Sequence, residues 1–469
     1  MRVSLPAEVR NILTTVGGAG HQIYIVGGAS RDLLMKKKIY DWDFTTSAKP
    51  EVITSLFEHS FYDNRYGTVG IIDPESKKKN SLGRPQVCEV TTFRREWGYS
   101  DGRHPDEVAW GKTLEEDLVR RDFTINAIAF KPAPEKQPPA KRVWNFEVID
   151  PHEGQKDLER KLIRAVGRAE ERFGEDALRM LRAVRLATQL NFTIEEKTLT
   201  AIKNNTGLLA NVSWERIRDE LLKMLIQDGA AEGYLTLRKT GLAEVILPEV
   251  ERGFGIEQKS PGRHHIYDVG THSVLSLKFC RSKDPMVRLA ALIHDIGKPV
   301  TFQKSDEGLI TFYNHEMAGA QLARVIAARL RLRKSEANRL VGLVRWHQFS
   351  VDERQTDKAI RRFIKNVGRE YLDDILAVRT ADRLGGGAQE TSWRLENFKR
   401  KLVEVQKQPF TVADLKVDGH EVMRILRIKP GPMVGEILSR LFEEVEEDMS
   451  KNKKSYLRER IKSFSAGGE

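Results

Sequence analysis

Short apolar runs alternate with helical patterns over the first third of the chain. Ile23–Val26 is a run of four apolar residues followed by two glycines, which is typical of a buried strand that ends in a turn. Residues 68–72 and 87–91 are also strand-like, whereas residues 6–13 and 50–57 have helical patterns. This alternation predicts a domain of mixed strands and helices at the N-terminal end.

Helical periodicity replaces this mixture from about residue 156 almost to the end of the chain. Residues 173–190 and 213–226 carry apolar side chains at helical spacing. Ser213 is a candidate N-cap, although Arg216 stands where a capping-box glutamate would be. The pattern therefore predicts a purely helical remainder.

Composition favours a soluble protein with a polyanionic partner. The 469 residues are enough for about three domains of ~100–200 residues each. A formal charge of +11 and a pI near 9.4 favour nucleic acid as the partner, although a surplus of surface lysine would give the same charge. The only two cysteines, Cys88 and Cys280, exclude a disulfide framework and a thiolate zinc site. With neither a signal-peptide pattern nor ~18 consecutive apolar residues, we expect a cytoplasmic protein that does not span a membrane.

Two aspartates follow the first strand and its glycine turn. Asp41 and Asp43 flank a tryptophan, and side chains at positions i and i+2 of a strand project to the same side. Carboxylates placed in this way suit Mg²⁺, which binds carboxylate oxygens together with substrate phosphates. In the turn, Gly28 would let a phosphate approach the backbone and Arg31 would neutralise its charge. The alternatives are a solvated turn for the aspartates and a surface position for Arg31.

A carboxylate and a guanidinium lie three residues apart in the helical segment 173–190. If this segment is one helix, Asp176 and Arg179 share a face. Together they offer acceptors and a rigid fork of donors, which can imitate the Watson–Crick edge of a base. An ordinary ion pair on a solvated helix is the alternative. Arg182 and Arg185 continue the spacing, either as a basic stripe toward RNA phosphates or as solvated side chains.

The order of these motifs resembles that of the bacterial-type tRNA nucleotidyltransferases and the related bacterial poly(A) polymerases. The motifs are IVGGASRD at 25–32, DWD at 41–43, RRDFTINA at 120–127 and EDALR at 175–179. The resemblance implies an α+β fold, in which a polymerase-beta-like nucleotidyltransferase head with a mixed sheet precedes an all-helical neck, HD body and tail. It implies domain boundaries at 1–148, 149–245, 246–400 and 401–469.

In the head, the resemblance assigns metal binding and catalysis to carboxylates. Asp41 and Asp43 would hold two Mg²⁺ ions for the in-line attack of a 3′-hydroxyl on an α-phosphate. Glu89, on a neighbouring strand pattern, is a weaker candidate for a third carboxylate, with an exposed strand glutamate as the alternative. The resemblance also places a flexible loop at 94–117 that takes part in the change from C to A addition.

The resemblance assigns nucleotide binding to two stretches. Arg121 would face phosphate, while Asp122 and Asn126 would hold the ribose, with a helix cap as the alternative for Asp122. Glu175 would orient the arginine of the Asp176–Arg179 pair, which would select CTP and then ATP.

The helical part contains a second group of metal-ligand residues, which resembles the ligand set of HD phosphohydrolase domains. The set is His272, His294, Asp295 and Asp382. His315 and His347 are two further possible ligands, with core or surface histidines as the alternative. Such residues bind a divalent transition metal or Mg²⁺ and activate water. The resemblance therefore implies possible phosphatase or phosphodiesterase activity.

These motifs predict an enzyme that adds CMP and AMP from CTP and ATP to the tRNA 3′ end without a template. They imply no stable protein partner. A poly(A) polymerase is one alternative, which is disfavoured because residues 64–69 lack a Gly-Arg-Arg-Phe type of sequence. Others are an enzyme that adds only CC or only A, and an HD hydrolase with an RNA-binding head. A non-enzymatic RNA-binding protein would leave the motifs unexplained.

Overall fold

The computed structural model describes residues 1–62, 67–72, 87–97, 107–133, 142–258, 267–349, 356–406 and 412–465. The chain divides into two compact units. One unit is Met1–Phe254 together with Ile326–Leu332, and the other is Gly255–Val325 together with Arg333–Glu469. Across the described ranges, no helix has the length and apolar character needed to cross a membrane.

An eight-stranded mixed sheet is the centre of the N-terminal part of the first unit. The strands of this part are β1 (Arg2–Ser4), β2 (Ile23–Val26), β3 (Trp42–Thr46), β4 (Ser60–Tyr62), β5 (Thr68–Ile72), β6 (Val87–Thr92), β7 (Arg94–Trp97), β8 (Glu107–Trp110), β9 (Ala129–Pro132) and β10 (Val143–Ile149). The order in the sheet is β1-β10-β9-β2-β3-β6-β5-β4, and β3 and β6 run parallel. β7 and β8 pair separately as an antiparallel hairpin.

Apolar side chains from the sheet and the helices around it form the core of this part. The helices are α1 (Ala7–Gly18), α2 (Gly27–Leu34), α3 (Pro50–Leu56) and α4 (Leu114–Val119). In α1 the buried residues are Val9, Ile12, Leu13 and Val16, which is the spacing of one helix face. They belong to the same core cluster as the alternate strand residues of β3 and β6. The mixed sheet predicted for the head is confirmed.

The resemblance places a flexible loop at residues 94–117, but the described parts of this stretch contain regular secondary structure. Arg94–Trp97 and Glu107–Trp110 are the strands of the β7–β8 hairpin. Their sequences, Arg-Arg-Glu-Trp and Glu-Val-Ala-Trp, do not alternate between polar and apolar residues, so the period of two that marks a strand is missing. The middle of the proposed flexible loop, 98–106, lies outside the described residues.

Helices make up most of the remainder of the first unit. They are α5 (Gly154–Glu159), α6 (Ala169–Glu175), α7 (Leu178–Leu190), α8 (Glu196–Asn205), α9 (Trp214–Leu225), α10 (Ala230–Thr240), α11 (Leu242–Ile246) and α12 (Pro248–Glu251). Ser213 is the N-cap residue of α9, but its side chain makes no capping bond. A parallel pair of two-residue strands, β11 (Leu162–Ile163) and β12 (Thr193–Ile194), interrupts the helices. This pair is a local exception to the helical neck that was predicted, because two-residue strands are too short to leave a periodic pattern.

The segment 173–190 is two helices and not the single helix that was predicted. Asp176 is extended, with φ −149° and ψ 102°, and it separates α6 from α7. Its Oδ1 accepts a hydrogen bond from the backbone N–H of Leu178 at 3.1 Å, as capping aspartates do. The apolar spacing continues through the break because Phe173 and Ala177 are both buried. Asp176 and Arg179 therefore do not share a face of one helix.

The second unit is mostly helical. Its helices are α13 (Val269–Phe279), α14 (Pro285–Ile293), α15 (Lys298–Thr301), α16 (His315–Arg329, whose last residues belong to the first unit), α17 (Lys334–Trp346), α18 (Asp357–Val367), α19 (Leu372–Gly385), α20 (Trp393–Gln406), α21 (Gly419–Leu426), α22 (Pro432–Glu447) and α23 (Lys454–Ser465). A short antiparallel pair, β13 (Gln303–Lys304) and β14 (Ile310–Thr311), is a second exception to the helical prediction. The last three helices share a core cluster of their own.

Candidate active and metal-binding sites

Asp43 lies at the middle of the mixed sheet, on β3. Its neighbours Trp42 and Phe44 are buried in the core, so Asp43 projects to the other face of the sheet. On the parallel strand β6, Glu89 is in register with Asp43 and projects to the same face. The strand begins at Trp42, one residue later than predicted, and Asp41 lies in the exposed bend before it. The two aspartates therefore do not both project from the strand.

The turn after β2 brings the backbone against Asp43. Gly27 has φ +68°, and a Cβ atom on it would lie 2.7 Å from Asp43 Oδ2. Only glycine fits this close approach. Gly28, whose φ is not positive, donates a backbone hydrogen bond to Asp43. The predicted role of Gly28 at a triphosphate stays a prediction, and Gly27 is the glycine that the turn itself requires.

The surroundings of Asp43 suit a cation. Burial raises the pKa of Asp43, and the nearby Asp41 carboxylate adds to this rise. Arg121, the Gly28 N–H and Arg31 act in the opposite direction without cancelling it. A divalent cation would favour the ionised form, and carboxylate oxygens are donors that Mg²⁺ and Mn²⁺ accept. The donor set therefore fits a divalent cation.

A chain of hydrogen bonds joins the predicted nucleotide-binding residues to each other. Arg31 Nη1 donates to Asn126 Oδ1 at 3.0 Å, and Asn126 Nδ2 donates to Asp122 Oδ1 at 3.1 Å. Arg182 donates from Nε and Nη2 to Asp122 Oδ2 at 2.9 and 2.6 Å. The Phe123 N–H also donates to Asp122 at 2.8 Å. A carboxylate has about four acceptor sites, so a ribose would have to replace one of these partners of Asp122.

Arg182 and Arg185, the two arginines that follow Arg179 on α7, are both held in ion pairs. Arg182 binds Asp122, and although burial opposes it, this pairing lowers the pKa of Asp122 well below its usual range. Arg185 binds Glu220 at 2.5 Å. Neither arginine is therefore merely solvated, while a basic stripe toward RNA phosphates stays a prediction. Ion-pair partners 35 and 60 residues away leave no pattern in one sequence.

Asp117 anchors the two arginines of the RRD motif. Arg121, which was predicted to face phosphate, donates to Asp117 Oδ2 at 3.0 Å, and Arg120 donates to Oδ1 at 2.5 Å. The carboxylate is fully buried. Burial alone would raise its pKa, but the two arginines together lower the pKa of Asp117 to about 2. Sequence reasoning missed this residue, although its spacing of three and four from the arginines on α4 was a usable signal.

We expect Asp117→Asn to destabilise the head in a pH-dependent way. The folded-state pKa of about 2 lies below the ordinary 3.8, so the ionised carboxylate stabilises the fold above pH ~4, and this stabilisation is lost as pH falls toward 2. A difference of this size corresponds to about 2 kcal/mol. Denaturant unfolding followed by tryptophan fluorescence should give the largest wild-type advantage above pH ~5 and a shrinking one toward pH ~2.

The matched control for this prediction is Glu51→Gln, which changes an exposed carboxylate on α3 of the same part of the chain. Its effect should be small at every pH. A stability difference between wild type and Asp117→Asn that stays constant over the acid range would contradict the prediction.

Asp176 and Arg179, which were predicted to select the base, are held by different partners. Arg179 donates to the Glu175 carboxylate, and to the backbone carbonyls of Arg172 and Arg120 at 3.1 Å each. The predicted contact of Glu175 with Arg179 is thus present, while its part in base selection stays a prediction. Asp176 receives two hydrogen bonds from Arg216, at 3.1 and 2.7 Å. Arg216 therefore fixes the Asp176 carboxylate. In the sequence, this residue was noted only because it stands where a capping-box glutamate would be.

Six titratable side chains converge in the second unit. They are His272 on α13, His294 and Asp295 after α14, His315 at the start of α16, His347 after α17 and Asp382 on α19. His272 Nε2 lies 3.1 Å from His294 Nε2 and 3.2 Å from Asp382 Oδ1. His315 and His347 are buried and each lies 3.5 Å from Asp295 Oδ1, so neither is a surface histidine. Imidazole nitrogens together with carboxylate oxygens are a donor set that fits a divalent transition metal.

Cationic side chains border this cluster, in a cavity of about 560 Å³. Lys298 Nζ donates to Asp295 Oδ2 and to Gln258 Oε1, both at 2.6 Å. Arg379 donates to Asp382 Oδ2 at 2.9 Å, and Arg383 also lines the cavity. Sequence reasoning missed these cations, although Lys298 and Arg379 each lie three residues from a predicted ligand on a helical segment. Their charges suit a phosphate group.

Three family models match successive parts of the chain, and the boundary between the second and the third lies close to the boundary between the two compact units. The Poly A polymerase head domain matches residues 23–164, and the probable RNA and SrmB-binding site of polymerase A matches residues 191–254. The HD domain matches residues 269–385. The fold and the sites therefore define a nucleotidyltransferase with an HD domain, and both of these domains use divalent cations.

Individual relatives specify the family. The A-adding tRNA nucleotidyltransferase of Deinococcus radiodurans is 37% identical over 356 residues, which are 72% of this chain and 76% of that protein. The CCA-adding enzyme of Limosilactobacillus reuteri is 31% identical over 99% of both chains. A crystal structure of the Bacillus stearothermophilus CCA-adding enzyme in complex with CTP is similar with a TM-score of 0.65 and 27% identity, covering 99% of this chain and 100% of that one. The chain belongs to the tRNA nucleotidyltransferase family, which confirms the resemblance and the fold class predicted from the sequence.

Proposed function

We propose that this protein adds CMP and AMP from CTP and ATP to the 3′ end of tRNA without a nucleic-acid template, and so builds or repairs the CCA terminus. The observation that carries the proposal is the alignment of 99% of the chain with 99% of a CCA-adding enzyme. The head geometry supports it, because Asp43 and Glu89 are in register on neighbouring strands and the turn at Gly27 lies against Asp43.

The head would carry out an in-line transfer. The 3′-hydroxyl oxygen of the tRNA would form a bond to the α-phosphorus of the incoming nucleotide and lose its proton to solvent, while the bond from that phosphorus to pyrophosphate breaks. Bound divalent cations, for which we propose two Mg²⁺, lower the pKa of that hydroxyl and stabilise the leaving pyrophosphate. Asp41 and Asp43 would supply the carboxylate oxygens that hold them, with Glu89 as a possible third. Gly27 keeps the turn close to Asp43.

Nucleotide binding would use the hydrogen-bonded chain from Arg31 to Arg182. Arg31 and Arg121 place positive charge beside Asp43, where the triphosphate would lie. Asn126 would contact the ribose, and Asp122 would either exchange a partner to do so or hold Asn126 in place. The bonds from Arg182 and Asn126 keep Asp122 ionised and fixed.

Base selection would fall to Asp176 and Arg179. Each is fixed by its own partner, Arg216 for Asp176 and Glu175 for Arg179. A fixed acceptor and a fixed fork of donors can present a defined hydrogen-bonding edge to a base. We assign chemistry to the head (1–148), base selection to the neck (149–245), and tRNA contacts to the HD body (246–400) and tail (401–469), since RNA stems are read mainly by shape and phosphate.

A-only addition is the second candidate, because the Deinococcus radiodurans relative carries that name. A reaction that contains a tRNA ending at the discriminator base, with CTP as the only nucleotide, distinguishes the two functions. A CCA-adding enzyme extends this tRNA by two nucleotides, whereas an A-adding enzyme leaves it unchanged. Extension of an unstructured RNA by a long run of A would instead indicate a poly(A) polymerase.

For the HD domain we propose a metal-dependent phosphohydrolase activity. Both carboxylates of the cluster are ionised, because despite burial the facing histidines lower the pKa of Asp295 and Asp382 well below the usual range. We expect hydrolysis of a phosphomonoester in the presence of Mn²⁺, Co²⁺ or Ni²⁺, and a loss of about 100-fold or more in His294→Ala.

The matched control for this prediction is His420→Ala, which removes a histidine on α21 outside the cluster. Its hydrolysis rate should equal that of the wild type. Absence of turnover with every metal, or equal turnover in His294→Ala, would reject the hydrolase and leave the proposal for the head unaffected.

A further inference from the structure

Glu175, the carboxylate predicted to orient Arg179, is shared between two arginines. Its Oε2 accepts a hydrogen bond from Nη1 of Arg179, and its Oε1 pairs with Nη2 of Arg172 at 2.5 Å. Arg172 lies three residues before Glu175 on α6, so the two side chains share a face of that helix. Only 18% of the Glu175 side chain is exposed, so water screens these charges weakly. Each oxygen of the carboxylate therefore has an arginine of its own.

The same two arginines bind the C-terminal end of α4. Nη1 of Arg172 donates to the carbonyl of Val119 at 3.1 Å, and Nη2 of Arg179 donates to the carbonyl of Arg120 at 3.1 Å. The last carbonyls of a helix have no partner within the helix, and positive charge is favourable at that end. Arg172 is thus held at two points, the end of α4 and Oε1 of Glu175.

These contacts use only part of the hydrogen-bonding capacity of Arg179, which is five N–H donors. Glu175 and the carbonyl of Arg172 accept from Nη1, while the carbonyl of Arg120 accepts from Nη2. In the described part of the chain, the Nε–H and one Nη2–H remain for a further partner. Nε and Nη2 form one edge of the guanidinium, and such an edge can donate to the acceptor atoms of a base.

An arginine next to a carboxylate often pairs with both of its oxygens through two parallel hydrogen bonds. Arg172 opposes this arrangement between Glu175 and Arg179, because it occupies Oε1 of the carboxylate. If Arg172 were removed, both oxygens of Glu175 would be able to turn toward Arg179 and compete with a base for its remaining donors.

We propose that Arg172 is a positioning residue for base selection. By holding Oε1 of Glu175, it limits that carboxylate to the Nη1 side of Arg179 and keeps the Nε–Nη2 edge available to the base. This inference rests on the base selection proposed above for Arg179. It adds to that proposal a residue that lies outside the EDALR motif and that does not itself contact the base.

Discrimination between ATP and GTP on a tRNA that ends in CC tests this inference, because both CCA-adding and A-adding enzymes add the final A. We expect Arg172→Ala to lower the ratio of the two kcat/KM values about tenfold, with a raised KM for ATP and a change of less than about threefold in kcat. Arg172→Lys keeps a cation beside Oε1 and should restore the ratio to within about threefold of the wild type. The matched control is Arg168→Ala, an exposed arginine directly before α6, which should keep the wild-type ratio.

A double variant distinguishes positioning from support of the fold. If Arg172 acts through Glu175, then Arg172→Ala introduced into a Glu175→Ala background should lower discrimination by no more than about a further twofold. Losses that add up in the double variant would show that Arg172 acts independently of Glu175, and this result would overturn the inference.

Full discrimination in Arg172→Ala, together with its loss in Arg179→Ala, would also overturn the inference and leave base selection by Arg179 intact. Full discrimination in Arg179→Ala would instead reject base selection by that residue, and Arg172 would have nothing to position. The two failures are therefore distinguishable. If Arg172→Ala does not fold, Arg172→Gln, which keeps a long side chain without the charge, decides the question in the same assay.

Discussion

Asp43→Asn is expected to abolish nucleotide incorporation while the head stays folded. Asparagine has nearly the same shape, and it keeps an oxygen that can accept from the Gly28 N–H. It removes the negative charge that a divalent cation requires at the centre of the sheet. The loss should be about 10³-fold or more in the single-turnover rate, or about 4 kcal/mol in the activation barrier. Asp41→Ala should have a similar effect on the same assay.

The matched control is again Glu51→Gln, an exposed carboxylate of the same part of the chain. It should extend tRNA at the wild-type rate. If Asp43→Asn retained more than about a tenth of the wild-type rate with its fold intact, the carboxylate would not be a metal ligand in catalysis.

Arg179→Ala is expected to relax the choice of base without removing the chemistry. The guanidinium is held by Glu175 and by the carbonyls of Arg172 and Arg120, so its donors point in fixed directions. Without it, the hydrogen bonds that we propose to favour CTP and ATP over UTP and GTP would be missing. We expect discrimination by kcat/KM to fall by about 10²-fold, since hydrogen-bonded sites reject wrong partners strongly. Metal binding by the head should not change.

Two further variants make this prediction sharper. Arg168→Ala removes an exposed arginine of the same region, paired only at 3.4 Å with Glu171, and should keep full selectivity. Arg216→Ala removes the two hydrogen bonds that Arg216 donates to Asp176 and should also weaken selectivity. The expected cause is a displaced Asp176 carboxylate, and not a lost contact between Arg216 and the base. Full selectivity for CTP and ATP in Arg179→Ala would show that Arg179 does not select the base in this chain.

Local patterns made much of the head predictable. The apolar run at 23–26, the glycines after it and the strand that carries Asp43 lie within about 25 residues, and each has a pattern that a single sequence shows. The neighbouring strand with Glu89 was also visible, although its parallel register with Asp43 became known only from the sheet. The HD ligands were found through their resemblance to the ligand set of HD phosphohydrolase domains.

Contacts between distant residues were not predictable. Arg182 and Asp122 are 60 residues apart, and Arg216 and Asp176 are 40 apart, so no spacing rule connects them. The break at Asp176 was hidden for a different reason. The buried apolar residues on both sides of Asp176 keep helical spacing. At Asp176 itself, the side chain accepts a hydrogen bond from the Leu178 N–H, and this bond competes with the helical backbone hydrogen bonds. The distant partners that fix Asp122 and Asp176 were therefore the part that only the structure shows.

One reaction tests the central proposal most directly. A tRNA that ends at the discriminator base is incubated with all four nucleoside triphosphates, and the 3′ ends of the products are sequenced. We predict that the added sequence is CCA and that addition then stops. Products that end in a single added A, in CC alone or in a longer run of A would contradict the proposal.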